Sequence, residues 1–153
     1  MLPEFINPNW VCQSAYSNSD VGGHIMHPVI HFQSRLFDVS VEPENPNNPV
    51  AGTSLLEWLR VRVPADVAMS APQSEDWGWY CDVTWRGRHY MIGASASQST
   101  DGNHQWVLQV VRFRSFKERL LGKARMLADD PCFAYFHGLI LQEPAFTDVS
   151  VAS

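Results

Sequence analysis

His24, His27 and His31 stand at the spacing H-x2-H-x3-H. Three imidazoles converging on a zinc ion would leave a fourth position for an activated water. A helix would align them, but Gly22 and Gly23 precede them and Pro28 lies among them. In extended chain His27 and His31 would be about 13 Å apart, too far to share an ion. No carboxylate follows at a familiar zinc spacing, so the expectation is structural histidines, no metal site and no cofactor.

Cysteine offers a second chemistry. Cys132 follows Asp129-Asp130-Pro131, a helix start whose dipole would lower a thiol pKa while the two carboxylates raise it. Cys81 falls on an apolar strand parity and reads as a small buried hydrophobe. A thiol paired with His89, His104 or His137 would make a nucleophile, although sequence does not bring such groups together. Three cysteines, Cys12, Cys81 and Cys132, are odd in number, and no CxxC occurs. They read as free thiols of a reducing compartment, and the expected location is cytoplasmic.

Charge and aromatic residues supply a third possibility. Residues 112–125 hold Arg112, Arg114, Lys117, Arg119, Lys123 and Arg125 against Glu118, a balance of +5 in a chain of net −5, so the remainder carries −10. Such a stripe could hold phosphates, an anionic metabolite or an acidic protein; it is also what the solvated side of an amphipathic helix looks like. Glu75 and Asp76 precede Trp77, Trp79 and Trp85, with Tyr80 and Asp82 on the other strand parity. Acids beside aromatic rings suit a sugar cleft, but the alternation makes the tryptophans core and leaves Tyr80 as the exposed platform. The expected binding residues are therefore Glu75, Asp76, Tyr80 and Asp82, together with Arg112, Arg114, Lys117 and Arg119.

The elements that must position these groups follow from periodicity. Residues 1–28 show neither period and read as a loop-rich arm before one domain of residues 29–153. His31 to Val41 alternates like a strand, with a bend near Leu36. Glu42 to Gly52, with Pro43, Pro46 and Pro49, is a connector, after which Ser54 and Glu57 fit a capping box. Around Arg86-Gly87 a two-residue hairpin would set Trp85 against Arg88, Val83 against Tyr90, Cys81 against Ile92, Trp79 against Ala94 and Trp77 against Ala96. Large side chains would then oppose small ones across one buried face. His104 to Arg114 is apolar on both parities, like a central strand. Residues 116–127 show helical spacing, as do residues from Pro131 to Pro144, with Phe133, Phe136 and Ile140 on the inner face, and Phe146 to Val151 alternates like an edge strand. The predicted fold is α+β: an antiparallel sheet built on a central three-stranded meander, about 76–114, with two or three helices packed on one face.

Several classes are excluded or disfavoured. No apolar run approaches the 20 or so residues of a membrane helix, and the N-terminal residues lack a basic, apolar signal pattern. No P-loop, dinucleotide fingerprint, nucleophile elbow, zincin motif or specific nucleic-acid motif occurs. The expected function is that of a small non-enzymatic protein of bacterial type that binds and occludes a protein partner, in the manner of an immunity protein or inhibitor. The alternatives are a small hydrolase using His24, His27 and His31 around a metal or Cys132 as nucleophile, and a module binding anionic ligands through residues 112–125.

Overall fold

A computed structural model of the protein describes residues 27–113 and 129–152. Among these described residues the architecture is an antiparallel sheet of seven strands with two α-helices. The strands are β1 (Val29–Ser34), β2 (Ala68–Met69), β3 (Gln73–Glu75), β4 (Gly78–Trp85), β5 (Arg88–Ala96), β6 (His104–Arg112) and β7 (Phe146–Ala152). The helices are α1 (Thr53–Arg60) and α2 (Pro131–Gln142). Along the sheet the order is β2-β4-β5-β6-β1-β7, with β3 also paired to β4.

Arg86 and Gly87 both take positive φ, 48° and 78°, the geometry of a two-residue hairpin turn whose twist matches that of its strands. No bulge intervenes, and Trp79, Cys81, Val83 and Trp85 face Ala94, Ile92, Tyr90 and Arg88 in the expected register. One parity of each central strand therefore points to one side. Trp79, Cys81 and Val83 join Ile92, Ala94, Trp106, Leu108, Ile30 and Phe32 in the main core, together with Leu55, Leu56 and Leu59 of α1 and Phe133, Phe136 and Ile140 of α2. That side is called the first face below.

Trp77 departs from the expected pattern. It belongs to the turn before β4 and packs with Met91, Val111 and Tyr80 in a separate cluster on the second face. The cause is Gly78, whose φ of 153° redirects the chain, and whose missing Cβ leaves room for the Ala94 carbonyl, 2.5 Å from where that Cβ would stand. The anticipated Trp77–Ala96 pair does not form; Ala96 bridges Ala51 and opposes Trp106 instead.

Two other local expectations are corrected. The first strand ends at Ser34, and Val39–Val41 is a 3-10 turn begun by Asp38, which accepts a bond from the Ser40 amide. The Ser54–Glu57 capping box is absent. Glu42 takes its place, its carboxylate accepting bonds from the Gly52, Thr53 and Ser54 amides and the Ser54 hydroxyl at 2.6 to 3.2 Å. Glu57 pairs with Arg60. A carboxylate at a helix start satisfies orphan N–H groups and the dipole together, so Glu42 meets the need that Ser54 and Glu57 would otherwise meet locally.

α2 begins as expected. Asp130 accepts bonds from the Cys132 and Phe133 amides, and Pro131 occupies the first turn where its missing N–H costs nothing. The helix expected over 116–127 lies outside the described residues, as does most of the arm.

Candidate functional site

The acidic residues singled out by sequence lie along β3, the turn after it and β4 as far as Asp82. Glu75 closes β3 opposite Gly78, Asp76 lies in the turn between the strands, and Tyr80 and Asp82 share the second-face parity of β4. The Tyr80 hydroxyl donates to Gln73 Oε1 at 3.1 Å, and Gln73 Nε2 donates to Asp82 Oδ2 at 3.2 Å. Burial raises the Tyr80 phenol above its ordinary range, and the charges of Asp82 and Glu75 push it further the same way. Those charges therefore reach the same ring, which stays protonated and uncharged at neutral pH.

Connector residues hold the β3–β4 turn in place. Asn45, 6% exposed, donates to the carbonyls of Glu75 and Gly78 at 3.0 and 2.9 Å, and Asn48 donates to that of Asp76 at 2.9 Å. The proline-rich segment is thus the clamp that fixes the turn. At the next step along the edge, Ser70 accepts from the Asp82 amide through its hydroxyl and donates its own amide to the Asp82 carbonyl.

Arg112 sits elsewhere. It ends β6 opposite Tyr90 and forms a 3.6 Å ion pair with Asp130, which also accepts the Tyr90 hydroxyl at 3.0 Å. Burial and the Asp130 charge both raise the Tyr90 phenol. Arg112 thus ties the start of α2 to the sheet, and Arg114, Lys117 and Arg119 lie outside the described residues.

The groups proposed for catalysis have other surroundings. Cys132 and Cys81 are fully buried, and burial pushes each thiol up to about 12, with Asp130 adding to the effect at Cys132. A thiol so placed is the reverse of an activated nucleophile. His104 bonds the Ser97 carbonyl through Nδ1, and His137 packs on the Phe133 ring. His27 is 3% exposed and bonds Gln109 Oε1 through Nε2 at 3.0 Å; His31 lies on β1, and His24 is outside the described residues. Among the described residues no three His, Cys, Asp or Glu side chains are grouped to hold a metal ion.

A hollow of about 460 Å³ opens between Ser34–Leu36, Asn103 and Pro144–Ala145. It contains none of the expected residues. Its polar side chains already bond within the chain, Arg35 to Asp101, Asn103 to Gln33 and Thr147 to the Gln33 carbonyl.

Sequence reasoning passed over Gln73, which links Tyr80 to Asp82, and Gln109, which is fully buried. Gln109 had a legible signal: it is the lone amide inside the apolar run from Trp106 to Val111. Among the described residues no helix is long and apolar enough to cross a membrane. Comparison with protein-family models, with curated proteins and with solved structures found no match to this chain.

Proposed function

We propose that the chain is a non-catalytic binding protein that occludes a basic protein partner through the second-face surface of β3 and β4. The observation that carries this reading is the pairing of β3 with β4, which sets Glu75 beside the start of β4 and lets Gln73 link Tyr80 to Asp82 on one surface. An aromatic anchor set among carboxylates suits an interface for lysine- and arginine-rich surfaces, where charge speeds encounter and the ring supplies contact area. The deep burial of Cys81 and Cys132 favours this reading over a hydrolase using Cys132. We read the architecture as a meander of β4, β5 and β6 carrying its helices on one face, which leaves the second face of β4 for a partner. An immunity-type or inhibitory role in a bacterial cytoplasm fits a small acidic chain with an odd number of cysteines.

The test is affinity capture by wild-type protein and by the combined variant Glu75→Gln, Asp76→Asn, Asp82→Asn, at low and high salt. The expected result is a basic protein retained by the wild type at low salt and lost from both the variant and the high-salt wash. A bound set identical under all conditions would remove the proposal.

A further inference from the structure

Trp77 lies at the tip of the β3–β4 turn, where side chains ordinarily face water, yet it is 2% exposed. Its six-membered ring rests on Gly93, with Cη2 2.6 Å from where a Cβ on that residue would stand. The Gln109 amide nitrogen is 2.8 Å from the same point. Beside them Ser95 approaches Gly78, its Cβ 3.0 Å from that glycine's missing Cβ position. A ring-sized slot thus exists on the second face because Gly93 carries no side chain, and the chain fills it with its own indole.

The border of this slot is polar and unsatisfied. Among the described residues, Trp77 Nε1, Ser95 Oγ and Gln109 Nε2 are buried and have no hydrogen-bond partner, and each of these residues is at least 98% buried. Buried polar atoms in native proteins nearly always have partners, and one without is destabilising. The Gln109 amide is held with its nitrogen toward Gly93 because its oxygen bonds His27. Met91 and Val111 supply apolar surroundings.

We infer that this slot is a binding site for a flat, uncharged heteroaromatic molecule bearing hydrogen-bond acceptors, and that Trp77 is the plug it displaces. Flatness is set by the space between Gly93 and the neighbouring side chains. The acceptors answer the amide of Gln109 and the hydroxyl of Ser95, and neutrality follows because both of these donors are uncharged. Gly78, with its positive φ, lies next to Trp77 at one end of the slot, and the Tyr80 ring borders it with its centroid 6.5 Å from that of the indole. The donors of the slot, Ser95 and Gln109, are not part of the acidic surface, which the slot adjoins where Trp77 packs on Tyr80.

Caffeine is the probe, since it is flat, uncharged and carries acceptors but no N–H donor. Protein containing 5-fluorotryptophan, with the Trp77 resonance assigned through Trp77→Phe, is titrated by fluorine NMR, and binding to each variant is measured by calorimetry. The expected result is a saturable shift of the Trp77 resonance. Trp77→Ala should bind at least about tenfold more tightly, because affinity no longer carries the cost of displacing the plug. In that background Ser95→Ala and Gln109→Leu should each weaken binding by about tenfold. The inference is overturned if caffeine binds neither protein, if it binds only Trp77→Ala, or if binding ignores both donor substitutions. Should Gln109→Leu not fold, Ser95→Ala, which removes only a hydroxyl, decides the point.

Discussion

The burial of His27 has a direct consequence for pH. Burial lowers its pKa below the ordinary 6.5, with the Gln109 bond opposing only in part, and His31 is lowered by burial as well. Both take up protons less readily in the folded protein than in the unfolded chain, which does so near 6.5. Their contribution to stability is therefore present above that pH and is lost as pH falls toward the depressed folded values. Urea unfolding followed from pH 8 to about 5 should show stability falling, and His27→Gln should flatten the decline. Equal slopes in the two proteins would refute this assignment. The thiols follow similar logic. With pKa values near 12 and no exposure, Cys81 and Cys132 should resist iodoacetamide in the native protein and react only on unfolding, as peptide mapping would show.

Individual elements depend on residues distant in sequence. Glu42 stands ten residues before the first amide it serves, that of the N-cap Gly52, and it accepts four bonds at the start of α1. Glu42→Ala should cost about 1–2 kcal/mol in denaturant unfolding, whereas Glu57→Ala, which removes only a surface pair with Arg60, should cost under about 0.5 kcal/mol. A local capping box would produce the opposite ranking. Gly78→Ala should cost at least about 2 kcal/mol, since alanine is strained at that φ and its methyl would meet the Ala94 carbonyl. The hairpin of β4 and β5 was legible because its information is local: alternation on both arms, a glycine in the turn and tryptophan opposite alanine. The strand expected through Val41 was not, because Phe37 and Val39 pack against the core from an irregular segment and imitate strand alternation without a ladder.

At the scale of the molecule, the sheet is closed by segments far apart in the chain. β1 lies between β6 and β7, and Phe32 of β1 packs on Phe146 of β7 with ring centroids 4.5 Å apart. α2 is fixed to β5 and β6 through Asp130, which gathers Tyr90, Arg112 and two amides at its own N-terminus. Asp130→Ala should cost about 2–3 kcal/mol, because it removes the cap of α2 and the carboxylate that accepts the Tyr90 hydroxyl. Thermal unfolding compared with Tyr90→Phe, which deletes a single hydroxyl, would separate the network from one bond.

Local sequence determined the hairpin register, the start of α2 at Asp130-Pro131, the burial of Cys81 and the strand parity shared by Tyr80 and Asp82. Each rests on sterics and periodicity acting over a few residues. Tertiary structure alone decided that Trp77 crosses to the second face, that Glu42 caps α1, that Arg112 meets Asp130, and that Gln73 joins Tyr80 to Asp82. Those outcomes depend on which distant segments share space and on where an open backbone such as Gly93 leaves room, and no spacing along the chain encodes that. The acids of the proposed interface were nameable as candidates, but Glu75 and the bridging Gln73 came beside Tyr80 and Asp82 only when β3 paired with β4.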